Sequence, residues 1–435
     1  VAHLDVHRSA ATAPQAVLDT DTLVRSILFV GAFLAVWISF HPFQSLAEPP
    51  PAVKEGGDLV NQVAFSSLFL GLAAWTWFHQ PQRLLFVMRP LFVVLLLWIA
   101  LTCLTSWEPG LATRRFVFAL ILLGISAMVL LVPKNVRQFS DLMAAVVLIV
   151  LAVCYLGVML VPQLAVHQAT DFLEPEHAGN WRGVFPHKNQ AGAVMVMITF
   201  IGLFVMRTRS LALGGVITAL ALIFLGFSQS KTAIAVMPLV FILSAIISHS
   251  RRPAIGIGLV VVILAAFNLF SVGTVIFEPV HRLVALVMPD ATFTGRTDIW
   301  ELGVQAVARR PITGYGFSSF FGTDQVVYSL GENTTWANAA TDAHNAYLNL
   351  ALTIGLPGLL LTILWIVVLP ILDFYRLPTD AAAAPLQLLF LRICLYGIYS
   401  SCFESSIFQQ IGEVWFFYVI SAFGLRYATL MRTRA

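Results

Sequence analysis

Charge is what this 435-residue sequence has least of. Asp, Glu, Lys and Arg together make up 11% of it, against about 25% in soluble domains. With 59% hydrophobic residues and a mean hydropathy of +0.86, it lacks the polar groups to cover a soluble fold. The short alternating segments of a membrane β-barrel are missing too. There are only four cysteines, Cys103, Cys154, Cys394 and Cys402, all within apolar runs. They read as small buried hydrophobes, and no CxxC or His/Cys spacing suggests structural zinc. Cys103 and Cys402 fall near one membrane face, which leaves a disulfide open. On the side assigned below as outer there is no Asp-x-Asp or other hard-metal cluster. No internal repeat is evident, and Ala381 to Ala384 is the one low-complexity stretch. The net charge of +3 is small. No cofactor, metal or nucleic-acid partner is expected.

What is present is a series of apolar runs, each near the roughly 20 residues that cross a bilayer as a helix. They lie at about 23–40, 59–78, 84–105, 113–132, 139–161, 189–206, 211–227, 232–248, 254–275, 345–371, 386–403 and 409–428. The chain therefore reads as an all-α integral membrane protein with about 12 transmembrane helices and both termini on one side. Residues 1–22 form a cytoplasmic tail. Residues 23–275 hold nine helices, 276–344 form a large outer loop, 345–428 hold three more helices, and 429–435 form a second cytoplasmic tail.

Lys and Arg in the short connections set the orientation. With the N-terminus inside, Arg83, Arg89, Lys134, Arg137, Arg207, Arg209, Arg251, Arg252 and Arg376 lie inside. So do Arg426, Arg432 and Arg434 at the C-terminus. The polar segments 41–58, 162–188 and 276–344 then lie outside. So do the exceptions to the rule: Arg114, Arg115, Arg182, Lys188, Lys231, Arg282, Arg296, Arg309 and Arg310. Outer cations suit an anionic lipid head group or a diphosphate; singly, each also serves as a snorkelling anchor.

Within the outer loop, Thr297 to Arg309 reads as one short helix ended by Pro311. Arg309 and Arg310 complement its dipole. His344, at the junction of the longest polar segment with an apolar run, is able to exchange a proton near neutral pH. Asp342 and Asn345 lie beside it. Gly355-Leu356-Pro357-Gly358, further in, predicts a break in that span. Three more clusters sit on the outer side: Arg182 to Asn189, which includes His187 and Lys188; Ser230-Lys231-Thr232; and Gly295-Arg296 before Trp300. For each there is a plain structural alternative, such as capping by His344, snorkelling by Lys231, or pairing of Arg296 with Asp298 or Glu301.

Taken together and in this order, the clusters resemble the O-antigen ligases and related polysaccharide polymerases. His344-Asn345, nine residues, Gly355 and then Gly358 is similar to that superfamily's signature. The stretch Arg182 to Asn189, the Ser230-Lys231-Thr232 turn, and Thr294-Gly295-Arg296 also fit, so the likeness covers residues 180 to 360. It implies a bundle of the lipid-linked-sugar glycosyltransferase (GT-C-like) type with a large periplasmic loop, in the bacterial inner membrane. It implies metal-independent, inverting transfer of a glycan from undecaprenyl diphosphate to lipid A–core or, in a polymerase, to a second lipid-linked glycan. By the same likeness His344 is the base and Arg296 holds the diphosphate. Lys231, Arg182, His187, Lys188, Asn189 and Asn345 complete the substrate site. Lys231 stands where many ligases have Arg, which keeps the charge and loses the bidentate fork. Pro49-Pro50-Pro51 and Glu404 are expected at the rim of an acceptor opening. A transporter of lipid-linked glycan, the rival from another class, would carry its charges along mid-membrane helices.

Overall fold

The computed structural model describes residues 19–48, 58–172, 174–250, 252–287, 295–323, 326, 340–377 and 383–431. The N-terminal 18 residues, the Pro49–Pro51 run, Thr294, Arg251, Arg432 and Arg434 lie outside the described residues.

The apolar runs fold as helices laid alternately up and down. They are α1 (Thr20–Trp37), α2 (Leu59–His79), α3 (Pro90–Leu104), α4 (Pro109–Val129), α5 (Val136–Leu160), α6 (Lys188–Thr208), α7 (Leu211–Ser228), α8 (Lys231–His249) and α9 (Pro253–Phe270). After the helices α10 (Glu278–Val287) and α11 (Arg296–Arg309) come α12 (Ala346–Arg376), α13 (Ala384–Ser400) and α14 (Glu413–Met431). Nine helices among the described residues are long and apolar enough to cross a membrane. Of the other three runs, α3 and α13 are shorter apolar helices, and α14 carries Glu413 and Arg426. The protein is an all-helical, multi-pass membrane protein. One boundary moved: the run expected from residue 84 starts as a helix at Pro90, because Pro81–Leu84 forms a separate short turn and Pro90 takes the first-turn position that suits a residue without an N–H.

The middle of the bundle is α6. Of its apolar window 78% is buried, against 17% for α9, so α6 is a core helix and α9 a lipid-facing one. It packs on α5, α7, α8, α13 and α14. Against α8 it approaches closely at Gly192, where a Cβ would collide with Ser230. Small residues at such contacts are how membrane helices come together. Here the contact draws the start of α6, Lys188-Asn189, to the start of α8, Ser230-Lys231. All four cysteines are buried and free, so Cys103 and Cys402 are not bridged.

The expected break in α12 is present. Gly355 has φ 71° and ψ 175° inside the helix, a conformation that favours glycine, and a side chain there would strike the carbonyl of Ile312. Each polar group freed by the break finds a partner, as a low-dielectric interior requires. Leu352 O accepts from Tyr315 N at 2.9 Å, Thr353 O from Gly316 N at 3.0 Å, and Leu356 N donates to Pro311 O at 2.8 Å. Ile354 O accepts from Trp98 Nε1 at 2.8 Å. The break is thus the socket that holds loop 311–316, and through it α11, over the start of α12.

Candidate active site

His344 sits between two side-chain caps. Asp342 Oδ1 accepts from His344 N at 2.7 Å, and Asn345 Oδ1 accepts from Leu348 N at 3.0 Å to start α12. The turn between them gives His344 a φ of +46°, unusual for a residue with a Cβ. It is held from both sides. Trp300 Nε1 on α11 donates to Ala343 O at 3.0 Å. On the α13 side, Ala346 N donates to Ser401 O at 2.8 Å and Asn345 Nδ2 to Cys402 O at 2.9 Å. Strained backbone that its surroundings fix in this way marks functional positions.

The turn after α13 carries Glu404 into the same place. Its Oε2 lies 3.7 Å from His344 Nδ1. Its Oε1 accepts from Asn189 Nδ2 at 3.1 Å and from an Arg296 guanidinium N–H at 3.3 Å. Arg296 also donates to Phe403 O at 2.5 Å; its acidic partner is Glu404, not the nearby Asp298 or Glu301. Asn189 Oδ1 in turn accepts from Ser230 Oγ at 3.4 Å. One network therefore joins α6, α8, α11, the start of α12 and the turn after α13. Burial opposes charge on His344, but Glu404 and Asp342 outweigh it and hold its pKa above the ordinary histidine value. Burial likewise presses Glu404 upward, and His344 and Arg296 overcome it and keep the carboxyl below its usual range.

The remaining residues expected at the site divide sharply. Lys188 is only 8% exposed and Lys231 is exposed, and neither has an ion-pair partner among the described residues. Arg182, by contrast, is 1% exposed, and its guanidinium donates to Phe185 O at 3.1 Å, Pro186 O at 3.5 Å and Gln44 O at 2.5 Å. Those carbonyls occupy the fork expected to meet an anion, so Arg182 locks the loop before α6. Asn345 is fully buried and saturated by its cap, Cys402 and Asn268; it shapes the turn that presents His344. Arg115 is engaged by Ser318 O, and Arg310 lies over the rings of Trp107 and Tyr315 at 5.2 and 5.3 Å. Glu404, expected at the rim of an acceptor opening, joins this network with a third of its side chain exposed.

Sequence reasoning missed a histidine cluster beside Lys188. His167, His177 and His187 pack ring against ring at 5.2–5.8 Å. Burial pushes His167 down to about 4 despite Asp171 at 2.9 Å. His187 at 2.7 Å brings Glu174 down to about 2. Among the described residues, Glu174, His177 and His187 form the one group with metal-ligand spacing, their atoms within 4.8 Å of each other. However, His187 Nδ1 accepts from Asn189 N at 3.1 Å as the cap of α6. The neutral ring then carries its proton on Nε2, the atom facing Glu174, and that nitrogen is a donor rather than a ligand.

Comparison with known proteins supplies the context. Residues 216–363 match the family described as O-antigen ligase; the match takes in Lys231, Arg296, His344 and the Gly355–Gly358 break. A curated relative, the exopolysaccharide production protein ExoQ of Rhizobium meliloti (strain 1021), is 27% identical over 193 residues. That alignment covers 41% of this chain and 43% of the relative, less than half of either. The family match over the segment that carries His344, Arg296 and Lys231, together with the distant exopolysaccharide relative, supports the superfamily of O-antigen ligases and polysaccharide polymerases that the sequence motifs resemble.

Proposed function

We propose that this protein transfers a glycan from an undecaprenyl-diphosphate-linked donor to a sugar hydroxyl, at the periplasmic face of a bacterial inner membrane. The observation that carries this reading is the chain of contacts His344–Glu404–Asn189–Ser230, which ties a histidine a third exposed to the helix starts bearing Lys188 and Lys231, two lysines with no acidic partner among the described residues. Displacement of a diphosphate asks for fixed positive charge where the leaving group develops its own. Lys188 and Lys231 supply it, and Arg296, tied to Glu404, presents the remaining edge of its guanidinium beside them. His187, at the start of α6, borders the same anion pocket, and Asn189 aligns α6 with α8. The acceptor oxygen attacks the anomeric carbon as the carbon–oxygen bond to the diphosphate breaks, with inversion. The acceptor's proton passes to His344 Nε2.

The acceptor we put first is lipid A–core. A polymerase, with a second lipid-linked glycan as acceptor, asks for a second set of outer cations; of Arg114 and Arg115, the pair placed to form one, Arg115 is already engaged by Ser318 O. The polymerase reading remains the second one, favoured by the similarity to the exopolysaccharide production protein ExoQ. Deletion of the gene separates them. Loss of a ligase leaves polymerised glycan on its carrier and lipid A–core bare, whereas loss of a polymerase leaves single repeat units on lipid A–core. Recovery of single-unit attachment would overturn the first choice. If purified protein transferred no glycan to either acceptor, the whole reading would fall.

A further inference from the structure

We infer that Glu404 is the positioning residue for His344: its carboxylate holds the ring with the proton on Nδ1, so that Nε2 is free to take a proton from the acceptor. This rests on His344 being the base. The geometry that points to Glu404 is an orphaned atom. His344 Nδ1 is buried without a hydrogen-bond partner, although a third of the side chain remains exposed. The exposure therefore falls on the rest of the ring, where Nε2 lies. Two carboxylates face Nδ1, Glu404 Oε2 at 3.7 Å and Asp342 Oδ1 at 3.9 Å. Asp342 Oδ1 already accepts from the backbone N–H of His344 at 2.7 Å. Glu404 presents an oxygen with no other contact, because Asn189 and Arg296 both bind the opposite one. Those two bonds fix the carboxylate plane, so Oε2 points at the ring by construction.

A separation of 3.7 Å is longer than a hydrogen bond. Such contacts tighten when substrate fills an active site, and here a small rotation of the imidazole is enough. When His344 takes the proton it becomes an imidazolium, and Glu404 is the counter-charge that stabilises it. The groups that face the ring are Glu404 and Asp342, which favour that charge, and Arg296, which opposes it.

The experiment compares Glu404→Gln, Glu404→Asp and Asp342→Asn with the unsubstituted protein in lipid nanodiscs. Glycan transfer from lipid-linked donor is followed across pH. Glu404→Gln is expected to lower kcat about 100-fold, the scale of a misplaced catalytic group, with little change in the donor KM. The acid limb of the profile should move to lower pH, because a ring without its counter-charge gives up its proton sooner. Glu404→Asp, which keeps the charge, should retain the limb. A Glu404→Gln enzyme with an unmoved limb and a loss confined to KM would make Glu404 only the counterion of Arg296 and overturn the inference. A second measurement needs no activity: the pH dependence of diethyl pyrocarbonate labelling at His344, which requires the neutral ring. Its midpoint should fall in Glu404→Gln and fall less in Asp342→Asn, which removes a charge but no partner that the ring nitrogen can reach; equal midpoints in the unsubstituted and Glu404→Gln proteins sink the proposal. Full transfer by His344→Ala would instead remove the base assignment itself, whatever the labelling shows.

Discussion

The two ends of the helix bundle carry their charges differently. At the end away from His344, several cations are met by acids. Arg89 pairs with Asp373 at 2.5 Å, Arg25 and Lys134 share Asp21 at 2.8 and 2.7 Å, and Arg209 meets Asp141 at 2.6 Å. At the His344 end, Lys188 and Lys231 lack acidic partners among the described residues, and Arg296 shares one carboxylate with a histidine and an asparagine. An ion pair closed within the protein has little attraction left for a ligand. Positive charge left uncompensated beside a membrane is costly unless an anion arrives to meet it. The comparison separates cations that hold helices together from cations that the proposed function assigns to substrate, a distinction that the orientation rule cannot draw.

The largest effect that would break this comparison is at the site. His344→Ala should reduce transfer by about 100- to 10,000-fold, the usual contribution of a general base, while the purified protein keeps its melting temperature. Near-normal turnover in that variant would leave the charge pattern of this end without a catalytic centre to serve. The next effect belongs to the free lysines. Each charge-assisted contact to a phosphate contributes about 1.5–3 kcal/mol, so Lys231→Ala should cost roughly 10- to 100-fold in kcat/KM. Lys231→Arg, with the charge kept, should recover most of it. On the proposed mechanism lysine rather than metal carries the charge, so EDTA should leave both forms unchanged. Inhibition by EDTA that a divalent ion reverses would contradict this.

Much of the frame was legible because lipid imposes simple rules. Apolar length located the helices, Gly355 located the break, and Pro311 marked the end of α11. The site was legible as a set of cations and a histidine at one end. It was not legible which of them had other work. Arg182 and Lys188 look alike as neighbours of one motif, and only folding shows that Arg182 faces three carbonyls. Nor does spacing reveal Glu404, which meets His344 across 60 residues of chain through the anchoring of Ala346 and Asn345 to the end of α13. A lone carboxylate in a short turn between apolar runs was the available signal.

At the opposite end the effects should appear in stability rather than in turnover. Asp373 is 2% exposed and its partner Arg89 is 13% exposed. Replacing Asp373 with Ala strands a buried cation, for which losses of about 3–5 kcal/mol are typical. The expected result is a clear fall in the melting temperature of the detergent-solubilised protein. The fraction that remains folded should turn over at the usual rate. A loss of kcat in protein shown to be folded would mean that the two ends are coupled, and the division drawn above would fail.

The smallest effect is the sharpest test of the same division. Arg209 and Asp141 form a close pair, 2.6 Å apart, yet both side chains are more than 40% exposed. Water screens such a pair and ordering two side chains offsets much of the attraction, so its contribution is about 0–1 kcal/mol. A double-mutant cycle with Arg209→Ala and Asp141→Ala isolates the coupling between them. The expected outcome is a coupling at the edge of detection and transfer unchanged in all three variants. Distance alone would rank this pair with Arg89–Asp373, so running the same cycle with Arg89→Ala and Asp373→Ala measures what burial adds. A coupling as large as that of the buried pair would show that the Arg209 end is shielded from water, and the account of which charges are closed and which are available would then have to be redrawn around exposure in lipid.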